Sequence, residues 1–189
     1  MGLAKSLKKF WHFVWYDDSA ASWIVNLLLA FVLVKFVLYP GIGFVMGTEF
    51  PIVAVVSGSM EHNGIMFDDW WEKNGEWYEQ KEISKDEFEN FKYTNGFNKG
   101  DIMFLKGTEP KNIKVGDVLV YETSLHGNPI IHRVVDLDEG NFITKGDNNL
   151  KEDRPVNPEQ ISRTGRAVFR LPWVGWIKIW FVNFFRFGI

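Results

Sequence analysis

The residues with the most chemical potential in this chain are far apart: Ser57-Gly58-Ser59-Met60, a histidine at 132, and carboxylates at 147, 152 and 153. Ser59 follows the apolar run Val53-Ala54-Val55-Val56, which puts it at the exposed end of a strand. Gly58 lets the backbone approach closely or take positive φ, so that nearby N–H groups can point at an oxyanion, as acyl transfer requires. Ser-Gly-Ser is also common in plain loops, and the triplet alone defines no site.

His132 interrupts Ile130-Ile131-His132-Arg133-Val134-Val135, a run of strand character whose alternation groups the histidine with Ile130 and Val134. Such a residue is either a satisfied core histidine or a rigidly held general base able to take a proton from a serine hydroxyl. His62 and His126 compete for that role, but the first is three residues from Ser59 and the second lies in the loop His126-Gly127-Asn128-Pro129. Neither has a comparably rigid setting. The third element is Thr144-Lys145-Gly146-Asp147-Asn148-Asn149, followed by Glu152, Asp153 and Arg154. A carboxylate here can orient an imidazole and stabilise the imidazolium formed during attack, or can simply close a hydrogen-bonded turn. A calcium loop starting at Asp147 is rejected, because Lys151 and Pro158 fall at the fifth and twelfth positions, where oxygen ligands are needed. Cysteine is absent, which excludes disulfides, zinc-cysteine sites and a thiol nucleophile. Serine acyl transfer needs no cofactor, and neither a cofactor nor a metal is expected.

These residues must be brought together by the elements between them. Ile52 to Val56, Ile102 to Leu105, Val118 to Tyr121, Ile130 to Val135, Phe142 to Thr144 and Ala167 to Phe169 read as strands, punctuated by Gly107, Gly116, Gly127, Asn128, Gly140 and Gly146. A mainly β fold follows. Residues 61–100 differ in character, with interleaved Trp70, Trp71, Trp77, Tyr78, Phe88 and Phe91 in an acidic background; they read as an inserted subdomain capping the core, with a short amphipathic helix from Ser84 to Tyr93. The 189 residues leave room for one core, and the net charge of -3 argues against a nucleic-acid partner.

Residues 20–46 form a transmembrane anchor. The stretch from Trp23 to Met46 would extend about 36 Å as a helix against a hydrocarbon core of about 30 Å. It is too long for the apolar part of a cleaved signal peptide. Pro40 and Gly41 are expected to end the helix near Tyr39, leaving Lys35 one turn from the interface, where it can snorkel. Lys5, Lys8 and Lys9 place residues 1–19 in the cytoplasm and residues 47–172 outside. At the other end, Trp173, Trp176, Ile177, Trp180, Phe181 and Phe184 share a helical face, so residues 173–189 read as an amphipathic segment lying on the bilayer.

Assembled in order, these motifs resemble the archaeal and endoplasmic-reticulum branch of type I signal peptidases. The likeness rests on Ser-Gly-Ser-Met after a single span, Val-Gly-Asp-Val-Leu-Val at 115–120, Ile-Ile-His-Arg-Val at 130–134, and Thr-Lys-Gly-Asp-Asn-Asn at 144–149 followed by Asp153-Arg154. The insertion after the serine favours the archaeal version. The resemblance implies a signal-peptidase-like β-sheet core, with Ser59 as nucleophile and His132 where the bacterial branch uses lysine. It further implies Asp153 as the carboxylate partner, Asp147 in support of the same network, and Ser57 with the Ser59 N–H as the oxyanion hole. The implied substrates are signal peptides of secretory preproteins, cut after small residues, with the lipid bilayer and the translocation machinery as surroundings. The implied location is the cell membrane, or the endoplasmic reticulum membrane in a eukaryote. One departure is that the family usually has proline two residues after the Ser-Met pair, where this chain has His62.

Overall fold

The computed structural model describes residues 2–123, 129–161, 163–177 and 179–180. The chain divides into two compact units between Val45 and Met46. The first unit contains α1 (Gly2–Tyr16) and α2 (Ala20–Leu33), joined by a tight turn. Asp17 Oδ1 accepts from the Ser19 N–H at 2.8 Å, and the Ser19 hydroxyl caps α2 by accepting from the Ser22 N–H at 3.2 Å.

α2 continues through a π-helical turn (Val34–Leu38) into α3 (Tyr39–Met46), so the expected stop near Tyr39 does not occur. Pro40 has no N–H, and in a regular helix its ring would meet the carbonyl four residues back. One wider turn, in which the Tyr39 N–H reaches back to Val34 O, accommodates it. The resulting helix, Ala20–Met46, has 27 residues and is the one helix among the described residues long and apolar enough to cross a membrane. Lys35 accordingly lies inside the helix, its ammonium 5.5 Å and 5.4 Å from the ring centres of Phe31 and Phe36.

The second unit is built on a six-stranded antiparallel sheet in the order β1-β2-β6-β3-β4-β5. Each run rich in β-branched residues is a strand: β1 (Ile52–Ala54), β2 (Ile102–Lys106), β3 (Val118–Tyr121), β4 (Ile130–Asp138), β5 (Asn141–Lys145) and β6 (Gly165–Leu171). Strand alternation sorts the core. Val118, Val120 and Ile131 pack with Met103, Leu105 and Ala167 on one face, while Leu119, Tyr121 and Val134 pack with Phe142, Val156 and Ile161 on the other. β1 and β5 are the sheet edges.

The insertion holds α4 (Phe67–Glu79), which the sequence reading did not anticipate, and α5 (Lys85–Glu89), a shortened form of the expected Ser84–Tyr93 helix. The insertion is not a merely solvated cap. Phe67, Trp70, Trp71 and Tyr78 line one stripe of α4 and are buried with Phe88 against Val135 and Ile143 of the sheet. Gly75 lets the Trp71 ring lie across α4, because a Cβ there would overlap the indole. Of the expected amphipathic segment 173–189, residues 178 and 181–189 lie outside the described residues; its beginning packs back on the domain, with the Gly175 N–H donating to Gly100 O at 2.8 Å.

Trp70 is 2% exposed and contacts five other aromatic rings, counting His62, Phe67, Trp71, Tyr78 and Phe88. Trp70→Ala is expected to destabilise the second unit by about 3–5 kcal/mol. Thermal or denaturant unfolding checks this; a loss below about 1 kcal/mol would mean the aromatic layer is not part of the core.

Candidate active site

Ser59 sits in a turn just past β1 that is fastened on both sides. The Glu61 N–H donates to Gly58 O at 3.1 Å to close the turn, and the Phe97 N–H donates to Met60 O at 3.0 Å where the insertion returns. From the opposite side, the Asn148 N–H donates to Ser59 O at 2.8 Å and Asn148 Nδ2 to Gly58 O at 3.1 Å. Gly146 permits this approach, since a Cβ there would come within 2.7 Å of Ser59 O. Met60 is buried beneath the serine and its sulfur accepts from the Asp147 N–H at 3.4 Å. Gly58 is absent from the positive-φ residues; a Cβ there would instead crowd the Glu61 carboxylate at 3.0 Å. The Ser57 and Ser59 hydroxyl oxygens are 3.2 Å apart.

His132, opposite Leu119 in the β3–β4 register, lies 6% exposed on the sheet face predicted from alternation. Its Nδ1 is 2.6 Å from Asp153 Oδ2, which also lies 2.9 Å from Thr144 Oγ1. The Asp153 N–H donates to Thr144 O at 2.7 Å, tying the carboxylate to β5. Burial works to raise the Asp153 pKa, but hydrogen bonding and charge from His132, with further bonds from Thr144 and Tyr121, hold it below the ordinary aspartate value. With Nδ1 engaged, Nε2 is the nitrogen left for chemistry in the cleft. Ser57, Ser59, His132 and Asp153 line one cleft of about 410 Å³, together with Ala54, Val56, Pro129, Ile130, Ile131 and Asn149.

Asp147, expected to support the His132 network, bonds to neither His132 nor Asp153. Its fully buried carboxylate takes a two-pronged bond from Arg133, Nε to Oδ1 at 2.9 Å and Nη2 to Oδ2 at 2.7 Å. His62 Nε2 lies 3.2 Å from Oδ2, and Tyr78 donates to Oδ1 at 3.3 Å. The physical reason for the separation is the strand period: His132 and Arg133 are successive and point to opposite faces. The remaining Arg133 donors reach the carbonyls of Lys92, Gly116 and Tyr93. Lys145, paired with Arg133 in the β4–β5 register, is also buried, its ammonium 4.9 Å and 4.8 Å from the ring centres of Trp77 and Tyr78. Burial, with Arg133 beside it, brings Lys145 down to about 8 against the pull of Asp147. Burial opposes ionisation of Asp147 too, yet Arg133 and His62 hold it far below the usual carboxylate range.

No protein-family model matches the chain. The signal peptidase complex catalytic subunit SEC11 of Lachancea thermotolerans is 32% identical over 158 residues, covering 77% of this chain and 74% of that protein. The chain belongs to the SEC11 family of signal peptidase catalytic subunits. SEC11 of Scheffersomyces stipitis is 28% identical over 177 residues, covering 86% of each chain. Human SEC11C is 29% identical over 153 residues, 75% of this chain and 62% of that protein, so the chain spans under two thirds of the length of that relative.

The joint burial of His62, Arg133, Tyr78 and Lys145 around Asp147 was not expected from sequence. Two of them carried a signal: Arg133 and Lys145 are cations inside strand-forming runs, where burial demands a carboxylate on the same face. His126 lies outside the described residues, and His62, weighed there as a rival base, is buried 2% exposed against Trp70 with their rings stacked 3.9 Å apart.

Asp147→Asn is expected to cost about 3–5 kcal/mol of stability, because it strands the Arg133 charge. The native pKa of Asp147 is depressed, so its contribution is present above the unfolded value of 3.8 and fades as pH falls below it; the gap between wild type and variant should shrink in acid. Lys145 gives a slope of the same sign in a higher pH window, but for the opposite reason: folding disfavours its charged form. Between about 8 and 10.5 the unfolded chain holds a proton that the folded one has released, so stability rises with pH across that window. Lys145→Met should remove about 1–3 kcal/mol of that rise, measured by unfolding at a series of pH values.

Proposed function

We propose that this protein is a membrane-anchored serine endopeptidase that removes signal peptides from exported preproteins. The observation that carries the reading is the 2.6 Å contact between His132 Nδ1 and Asp153 in the cleft that also holds Ser59. In the proposed cycle His132 Nε2 takes the Ser59 proton as Oγ attacks the scissile carbonyl, and Asp153 stabilises the imidazolium. The oxyanion is met by the Ser59 N–H and the Ser57 hydroxyl. The imidazolium then protonates the leaving amine, and a water activated by the same ring releases the acyl group. Asp147 acts differently, as a positioning residue that fixes the 146–149 turn against the serine loop.

The substrate reading follows from β1. It is an edge strand whose residue Ala54 lines the cleft with Val56, so an extended peptide can pair along it and present small side chains to the cleft. The preference for small residues before the cut comes from the family. The relatives are named as subunits of a signal peptidase complex, and assembly with further subunits beside the translocation machinery is proposed here for this chain as well. Ala20–Met46 is the anchor, with the lysine-bearing N-terminus in the cytoplasm and the β unit outside, in the cell membrane or, in a eukaryote, that of the endoplasmic reticulum. A non-enzymatic reading, in which a membrane-tethered β domain binds a partner through its acidic aromatic insertion, is disfavoured, because Trp70, Trp71, Tyr78 and Phe88 are buried.

The test is preprotein cleavage by the reconstituted protein, with the cut mapped by mass spectrometry. Ser59→Ala should lower turnover by at least about 10³-fold, as should His132→Lys, and Asp153→Asn by about 10³–10⁴-fold with KM little changed. Asp147→Asn should cost less turnover per folded molecule than Asp153→Asn. Undiminished cleavage by Ser59→Ala would end the proposal, and self-cleavage with preprotein left intact would point to a different substrate.

A further inference from the structure

α1 is built for a surface that nothing in the first unit supplies. Its residues divide cleanly by helical spacing: Lys5, Lys8, Lys9, His12 and Tyr16 fall on one side, and Leu3, Leu7, Phe10 and Val14 on the other. It carries three lysines and no acidic residue. Leu3 is 81% exposed and Trp11 61% exposed, an apolar face of a size that soluble proteins avoid leaving open.

The elbow after α1 fixes where that face can go. Ser22 Oγ donates to Phe13 O at 2.7 Å and Asn26 Nδ2 to Val14 O at 2.9 Å, so side chains of α2 satisfy carbonyls in the last turns of α1. Those bonds pair two of the carbonyls that would otherwise be left open where the elbow meets the boundary of the hydrocarbon. They also hold α1 as a separate helix folded against the flank of α2 instead of a continuation of the span. Between the two helices an apolar crevice of about 470 Å³ opens, lined by Phe10, Trp11 and Trp15 of α1 and by Leu29, Ala30 and Leu33 of α2.

We propose that α1 is an in-plane anchor for anionic phospholipid, its apolar face and the crevice taking acyl chains while Lys5, Lys8 and Lys9 hold headgroup phosphates. The charge pattern selects this occupant: a helix with three cations and no anions complements an anionic leaflet. Continuity with Ala20–Met46 selects it again, because α1 ends four residues before the apolar helix begins and cannot leave the bilayer surface once that helix is inserted. Trp11, Trp15 and Tyr16 sit where an interfacial aromatic belt would place them.

The absence of cysteine makes the test direct. The full chain carrying Leu7→Cys or Lys9→Cys is spin-labelled and reconstituted in nanodiscs of phosphatidylcholine alone or of phosphatidylcholine with phosphatidylglycerol. Access to lipid-soluble oxygen is compared with access to a water-soluble nickel chelate. In discs containing phosphatidylglycerol, position 7 should favour oxygen and position 9 the nickel chelate. Replacing the lysines with glutamine on the Leu7→Cys background should lower the inserted-to-exposed ratio at position 7 by about fivefold per lysine, and added salt should act in the same direction. Equal nickel access at positions 7 and 9, or a ratio indifferent to lipid charge and to the lysines, would overturn the proposal. So would a position 7 shielded from both reagents in every lipid, which would mean that protein covers the face.

Discussion

The carboxylate of Asp147 is what makes the interior of the β unit electrically tolerable. Arg133 and Lys145 stand opposite each other on neighbouring strands, both buried away from bulk solvent. Two cations in that setting repel strongly and lose hydration, which costs several kcal/mol each unless a counter-charge is supplied. Asp147 supplies it, with a two-pronged bond to the guanidinium and a chain of contacts through Tyr78 to the ammonium. The compensation is incomplete, and Lys145 absorbs the deficit as a lowered pKa. Because Asp147 belongs to the turn whose next residue binds the backbone of Ser59, the position of the serine loop depends on an ion pair that never touches the cleft.

The insertion at 61–100 serves the same arrangement. Its two ends meet beside Ser59, where Glu61 bridges to Gly96 and the Phe97 N–H reaches Met60 O, so closing so long an excursion adds only a slowly growing entropy cost. What it brings back is specific. His62 takes one oxygen of Asp147 while stacked on Trp70, and Tyr78 donates to the other. The departure from the family pattern at His62 is thus matched by a partner for its side chain, and the aromatic layer seals the ion pair from solvent.

Much of this was legible in the residue order. β-branched runs separated by glycine turns marked all six strands, and alternation put His132 on the correct face of β4. The helix α4 escaped notice because acidic residues between Trp70, Trp71 and Tyr78 masked a stripe of helical spacing, and its burial depends on Val135 and Ile143, which are remote in sequence. The continuation of the apolar helix past Pro40 was illegible for a different reason: a proline is a breaker only if the preceding turn keeps regular winding, and here it does not. The separate fates of Asp147 and Asp153 could not be read at all from two carboxylates lying close together near one strand end. Their placement is decided by which face each partner occupies.

That division follows from the geometry of a single pair of strands. On β4, His132 and Arg133 are adjacent and therefore face opposite ways; on β5, Thr144 and Lys145 do the same. One side collects His132, Thr144 and Asp153, and the other collects Arg133, Lys145 and Asp147. A single aspartate cannot reach both faces, so a sheet that holds an imidazole on one face and a guanidinium on the other needs two. The fully buried one must stay ionised to satisfy a charge that cannot leave. The other, half-buried beside the cleft, can respond to a proton arriving on its histidine, and only that second position is suited to a reaction in which charge appears and disappears.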